Sequence, residues 1–187
     1  YISMMRVVKF CKACGGKCNL ERGTISFDRN WRDLSEDAVG ALANILKDDG
    51  VFSSLDMSYC HIGAAGVSAL SDVLKTNTTL MSLNLYCSRI KDGGAIALSE
   101  ALKVNTTLAS LNLVNNDIGA AEASALSEAL KKNTTLTSLN LSGNVIRDVG
   151  AIALSNVLKT NTTLTVLVLH CNNIGNKGAK ALSEALK

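Results

Sequence analysis

The chain has 187 residues, 47% apolar and 19% charged, with a net charge of +3. That length and composition suit one folded domain with a sizeable core and exclude a disordered chain. No run of 18 apolar residues occurs, so the sequence offers no membrane-spanning helix, and the absence of any proline argues for one continuous architecture.

Residues 1–23 carry Arg6, Lys9, Lys12, Lys17 and Arg22 against Glu21, whereas the rest of the chain holds 14 basic and 15 acidic side chains. The body therefore lacks the basic surface that nucleic acid requires, and neither nucleic acid nor membrane is expected as a partner. YISMMRVVKF is too weakly apolar to make a good signal peptide. Val7, Phe10, Cys11 and Cys14 step by 3, 1 and 3, which is one face of a helix from about Ile2 to Cys14 that Gly15-Gly16 would end. The segment contains CKACGGKC, three of the six cysteines in eight residues. Three readings fit it. The cysteines can pack as small apolar groups in a terminal cap. They can form a C-x2-C-x3-C zinc site that lacks a fourth ligand. They can also form a local disulfide or serve a redox role.

From Thr24 onward the chain repeats itself. NTTLMSLNL, NTTLASLNL, NTTLTSLNL and NTTLTVLVL begin at Asn77, Asn105, Asn133 and Asn161, a spacing of 28 each time. Units start at Phe52, Leu80, Leu108, Leu136 and Leu164, and a degenerate one begins near Thr24 with Phe27, Leu34, Ala38, Leu42 and Leu46 in register. Each unit holds two periodicities. Leu83 and Leu85 alternate with Ser82, Asn84 and Tyr86, a short strand; Ala95, Leu98, Ala101 and Leu102 follow at helical steps. Lys103 closes that helix, where a cation suits the negative end of the dipole, and Asn105 is expected to follow as a left-handed cap.

The unit L-x-x-L-x-L-x-x-(N/C/S)-x-I with its trailing helix resembles the leucine-rich repeat family. The spacing is similar to that of the 28-residue ribonuclease-inhibitor-like class, which also supplies the sensor ends of NOD-like immune receptors. The resemblance implies an α/β fold, a right-handed solenoid with parallel strands on the concave side and helices on the convex side. One unit cannot bury its own apolar face, so units stack and share a core. The implied organisation is a cap over residues 1–23 and a repeat domain over 24–187, with one degenerate and five regular units, the last truncated.

Comparing units within the chain separates two kinds of position. Leu70, Leu98, Leu126, Leu154 and Leu182 share one helix position and Ile62, Ile90, Ile118, Ile146 and Ile174 one loop position, as stacking would require. Asn116, Asn144 and Asn172 hold the family's asparagine position, where side chains are expected to satisfy buried loop backbone; Cys60 and Ser88 stand there in earlier units. Glu122 replaces the glycine held by Gly66, Gly94, Gly150 and Gly178, and its carboxylate is expected to need an outlet to solvent. Asn84, Asn112 and Asn140 form a polar row on the inner sheet. The seventh, eighth and tenth positions vary from unit to unit, as a recognition surface would. The partner-binding candidates are Tyr59, His61, Tyr86, Arg89, Asn112, Asn115, Asp117, Asn140, His170 and Asn173, with Tyr and Arg among the types enriched at binding hot spots.

No catalytic set is visible, and no cofactor or metal is expected. His61 and His170 lie four units apart, roughly 19 Å at the usual strand spacing. Cys87 and Cys171 lie three units apart, too far for a disulfide, and unpaired surface cysteines point to a reducing compartment and hence the cytoplasm. The four N-T-T triplets match the glycosylation pattern, yet their common place at the helix-to-strand turn is explained by turn chemistry. The expected function is a protein-binding scaffold, not an enzyme, that holds a partner in its concave face and rim. The alternative is a regulatory or substrate-recognition arm of an enzyme, either a ubiquitin ligase with a zinc module or a GTPase-activating protein. The uncapped last unit also offers a surface for end-to-end self-association.

Overall fold

A computed structural model describes residues 2–13, 18–21, 23–27, 34–47 and 50–187. The expected glycine stop at Gly15-Gly16 and the thiol of Cys14 lie outside them. Helix α1 (Ile2–Ala13) leads into β1 (Cys18–Glu21) and β2 (Thr24–Phe27). Strand and helix then alternate as α2 (Glu36–Lys47), β3 (Ser54–Asp56), α3 (Gly63–Leu74), β4 (Ser82–Asn84), α4 (Lys91–Leu102), β5 (Ser110–Asn112), α5 (Ala120–Leu130), β6 (Ser138–Asn140), α6 (Arg147–Leu158), β7 (Val166–Val168) and α7 (Asn176–Ala185).

The strands form one sheet in sequence order. From β2 to β7 every pair is parallel, and the repeat sets the register: Ser54, Ser82, Ser110 and Ser138 are successive partners, as are Leu55, Leu83, Leu111 and Leu139. This is an α/β leucine-rich solenoid. Helices pack 8–10 Å apart while strands sit about 4.8 Å apart, so the helical side must take the outer arc. Strand β1 was not foreseen. It pairs antiparallel with β2, Leu20 opposite Ile25, and extends the sheet past the first repeat strand.

One core runs through the stack. Leu55, Leu85, Leu98, Leu108, Leu126, Leu139 and Leu154 have no exposure, and Leu55, Leu85, Leu98, Leu108 and Leu126 each share the cluster with the next unit's counterpart. Burying one such side chain contributes about 1.5–3 kcal/mol. At the head of the stack Val7, Phe10 and Cys11 enter the same core, with the Phe10 ring edge-on to Phe27 at 6.4 Å. Cys11 is both buried and disulfide-bonded. Its sulfur is therefore not a thiolate, which overturns the three-thiolate zinc reading of CKACGGKC. Cys60, Cys87 and Cys171 are free.

Two rows of asparagine tie the units together. Asn116 Oδ1 accepts from Ser88 N at 2.9 Å and Ile90 N at 3.3 Å, while its Nδ2 donates to Leu85 O at 2.7 Å and Val114 O at 3.0 Å. Asn144 and Asn172 repeat the pattern one and two units on. Ser88 Oγ donates to Met57 O, the equivalent backbone group. Among the described residues the Cys60 thiol reaches only Ser58 O, at 3.7 Å, and burial, with Asp56 adding to it, pushes it up to about 12.

The second row corrects an expectation. Asn77, Asn105 and Asn133 do not adopt the left-handed conformation of a cap. Each is buried and bridges two units: Nδ2 donates to a carbonyl at the C-terminal end of the previous unit's helix (Leu46, Leu74 and Leu102), and Oδ1 accepts from the following Leu80, Leu108 and Leu136 N–H groups. Asn161 does the same with Leu130 O and Leu164 N. A helix carbonyl that would otherwise stay unpaired is satisfied from the next unit. The side-chain amide that glycosylation would modify is thus spent inside the fold.

Glu122 also departs from expectation. It is 6% exposed, and Oε2 turns back to accept from Gly119 N at 3.0 Å, closing the start of α5. The carboxylate finds its donor in the helix N-terminus and needs no outlet to solvent. At the equivalent place in α6, a Cβ on Gly150 would come within 2.9 Å of Ala123 Cβ and 2.5 Å of Ile146 Cγ2, so the absence of a side chain lets the helices meet.

Candidate functional site

The inner sheet surface is built by the pleat. On β3 to β6 the leucine points into the core and its neighbours are half-exposed, while on β7, the last strand, Leu167 is itself partly exposed. Five units therefore present Ser54, Asp56 and Ser58; Ser82, Asn84 and Tyr86; Ser110, Asn112 and Val114; Ser138 and Asn140, with Ser142 buried; and Val166, Val168 and His170. Among these residues there is one carboxylate, Asp56, and no Lys or Arg.

The asparagines of this row are half-committed. Asn84, Asn112 and Asn140 Oδ1 accept from the backbone N–H two residues on, at 3.1 Å in each case. Asp56 does the same with Ser58 N at 2.9 Å. These are Asx turns, which bend the chain out of the strand. Their Nδ2 amides donate to no described residue, so adjacent units offer a row of donors.

Past the strands, the loop residues reveal a constraint. Tyr59, His61, Cys87, Arg89, Asn115, Asp117, Cys171 and Asn173 all have φ between 49° and 64°, and Gly143 has 67°. Eight of these nine positions carry a side chain in a conformation that disfavours one by roughly 1–2 kcal/mol. Asn, Asp and His tolerate it best, whereas Tyr59 and Arg89 are uncommon there. The Asn, Asp and Gly enrichment at the eighth and tenth positions was the available sequence signal, and it was read only as variation. Gly143 has a second reason: a Cβ would overlap the Asn115 amide.

The structure brings some candidates together. The Tyr59 and Tyr86 rings pack edge-on with centroids 4.7 Å apart, and Asn115 Nδ2 donates to the Tyr86 hydroxyl at 3.4 Å. The hydrogen bond with Tyr59, reinforced by one with Cys87, pushes the Tyr86 phenol up to about 12. It stays neutral at physiological pH. Tyr59, Tyr86 and Asn115 thus form one aromatic and amide patch across three units. Arg89 and Asp117 are exposed beside it on the same edge.

At the other end, Ser142 Oγ lies 3.0 Å from His170 Nδ1 and 2.7 Å from Asn140 Oδ1. Sequence reasoning missed this contact because its partners are one full unit apart. Ser142 is 1% exposed, and with its hydroxyl proton given to Asn140 its remaining lone pair suits a proton on His170 Nδ1. The group is an anchored histidine, since the hydroxyl is neither accessible nor paired with a free base. Asn173 is exposed beyond it, and His61 lies at the opposite end of the stack from His170. Among the described residues no group of three or more metal-binding side chains clusters, and no helix is long and apolar enough to cross a membrane.

The chain was compared with known proteins. The Leucine Rich repeat family model matches residues 47–71, 76–99, 104–127, 132–155 and 160–183. No curated protein matches the chain. Among solved structures, "Leiomodin-1 Actin-Binding Site 2" is 25% identical, with a TM-score of 0.65 over 77% of this chain and 87% of that one. The tropomodulin C-terminal domain from Caenorhabditis elegans is 11% identical, with a TM-score of 0.54 over 98% of this chain and 90% of that one, a likeness of fold alone. Each matched segment spans the strand and most of the helix of one unit, in step with the 28-residue spacing, and the chain belongs to the leucine-rich repeat family.

Proposed function

We propose that this chain is a non-catalytic scaffold that holds a protein partner against its inner sheet surface and the loop edge beyond it. The observation that carries the reading is the row of uncommitted Asn84, Asn112 and Asn140 amides beside the Tyr59–Tyr86–Asn115 patch. Aromatic rings with a polar tip and fixed amide donors give contact area and orientation at low cost in side-chain entropy. Arg89, Asp117, His170, Asn173 and His61 extend the edge on either side. Residues held at positive φ by the loop are pre-organised, which favours binding. Residues 1–23 act as the cap of the array and 24–187 as its repeat domain, of the 28-residue ribonuclease-inhibitor-like class that the unit length supports. The free thiols of Cys60, Cys87 and Cys171 and the internally bonded sequon asparagines favour the cytoplasm, and the Cys11 disulfide is the one feature that speaks for an oxidising compartment.

The similarity to leiomodin-1 actin-binding site 2 brings actin forward as the first partner to assay. The test is a quantitative pull-down from the source cell, alongside co-sedimentation with actin filaments, comparing the wild type with Tyr86→Ala and Asn112→Asp. Both substitutions are at residues with negative φ. A partner lost by about tenfold or more with either variant supports the inner surface. Equal recovery of every partner overturns it, and loss of binding to another protein but not to actin overturns actin alone.

A further inference from the structure

We propose, resting on the function given above, that the partner segment held on the inner sheet surface is an α-helix laid across the strands, which meets each repeat unit with one residue in the order cation, amide, amide, amide, aliphatic. Strands β3 to β7 place Asp56, Asn84, Asn112, Asn140 and Val168 in register, one from each unit. All five are partly exposed on the same face. The four polar ones are fixed in direction, because each Oδ1 accepts from the backbone N–H two residues on. Spacing selects the occupant. Adjacent units are about 4.8 Å apart, so the row is about 19 Å long. A helix crossing the strands brings a side chain back to one face every turn of about 5.4 Å, and four turns take about 22 Å. The excess, roughly 1 Å at each end, is within the reach of flexible side chains. An extended segment repeats its face every ~6.8 Å and falls a whole unit out of step within three repeats. A polyproline II segment returns every ~9.3 Å, so it would meet only every second unit and leave half the amides unpaired.

Chemistry sets the order of residues and the direction of the helix. Asp56 is the one charge in the row. It suits a Lys or Arg and the positive N-terminal end of a helix, so that end lies over β3. Asn84, Asn112 and Asn140 present Nδ2 donors. On the same strands and the same face, the hydroxyls of Ser82, Ser110 and Ser138 are half-exposed and make no hydrogen bond to a described residue. Each of these units thus offers a fixed donor and a hydroxyl that can accept. Glutamine or asparagine, which accepts and donates through one planar group, satisfies both. A carboxylate would give up its hydration for neutral donors alone, with no cation in the row to offset the cost. At the far end Val168 stands where the other strands carry Asp or Asn, beside Val166 at 47% exposure. An aliphatic side chain is its complement, so the C-terminal end of the helix lies over β7.

The probe is a fluorescein-labelled, hydrocarbon-stapled helix of about 18 residues that carries Lys, Gln, Gln, Gln and Leu, in that order, at alternating steps of four and three residues. Binding to the full 187-residue chain is read by fluorescence polarisation. A second helix has the five residues in reverse order, and a third peptide carries them at every second position of an extended segment. The expected result is saturable binding of the first probe and about tenfold weaker binding of the other two. Asp56→Asn keeps the turn, as Asn84 does, and should weaken the first probe about fivefold; glutamine in place of the probe's lysine should recover the loss on that variant. Asn112→Val, the residue type that Val168 supplies naturally, should weaken it about fivefold or more, with recovery when leucine replaces the probe's middle glutamine. Thermal melts of both variants check that the fold is intact. Equal affinity for the forward and reversed helices, tighter binding of the extended peptide, or no saturable binding overturns the helix. The pull-down separates that failure from failure of the surface: a partner lost with Tyr86→Ala while no helix binds removes the helix alone, whereas recovery of every partner removes the surface itself.

Discussion

Two rows of asparagine occupy the same units and do opposite things. Asn116, Asn144 and Asn172 are buried at 0–4% and use both ends of the amide on backbone groups of neighbouring units. Asn84, Asn112 and Asn140 are half-exposed, with the oxygen engaged locally and the nitrogen free of described partners. The residue type and the period are identical. The difference lies in whether the side chain meets unpaired backbone in a water-free loop or solvent on a pleated face. The first row maintains the stack; the second is available to something else.

Substitutions can break this contrast at graded cost. The largest effect is expected for Asn144→Ala. Five hydrogen bonds go, two of them from Asn116 N and Ile118 N, and the buried backbone groups lose their partners. At 1–3 kcal/mol for an unsatisfied buried group, the loss should be about 3 kcal/mol or more, read from urea unfolding. Gly150→Ala comes next. The added methyl must displace Ile146 or Ala123, and overpacking of this kind costs about 2 kcal/mol. The same measurement should show little change for Gly93→Ala, whose nearest contact is 3.7 Å away. Glu122→Ala removes one helix-capping hydrogen bond and should cost about 1 kcal/mol. A stabilised variant would show that burying the carboxylate outweighs its bond.

The smallest effect on stability, and the sharpest for function, belongs to Asn112→Asp. It keeps the acceptor that makes the Asx turn, as Asp56 does naturally, and removes only the free donor. Stability should change by less than about 0.5 kcal/mol, while partner recovery falls. A large drop in stability would show that the outer row is architectural after all, and the contrast between the rows would collapse.

Much of the fold was legible because the code is repeated. A strand of three residues is a weak signal alone, but Ser-Leu-Asn at the same offset in three units leaves little freedom. What was misread shares a physical feature. Asn105 looked like a left-handed cap because its place after a helix is local information, whereas its actual partner, Leu74 O, is 31 residues back. The Ser142–His170 contact spans 28 residues. Glu122 looked like a charge in need of solvent because the helix-start N–H that satisfies it appears only once the turn at Gly119 is formed. Strand β1 lies outside the repeat, so no second copy of the pattern disclosed it.

The candidate site was legible as a list and not as a surface. The sequence by itself determined which positions vary, that their side chains leave the strands on one edge, and that few charges would line the inner face, because period and alternation dictate side-chain direction. Only the tertiary structure decided that most of the varying residues sit at positive φ, that Tyr59 and Tyr86 meet, and that one asparagine row is sealed while the other is open. Those facts depend on what the adjacent unit places within about 5 Å, and hydrogen bonds and ring contacts act only over so short a range.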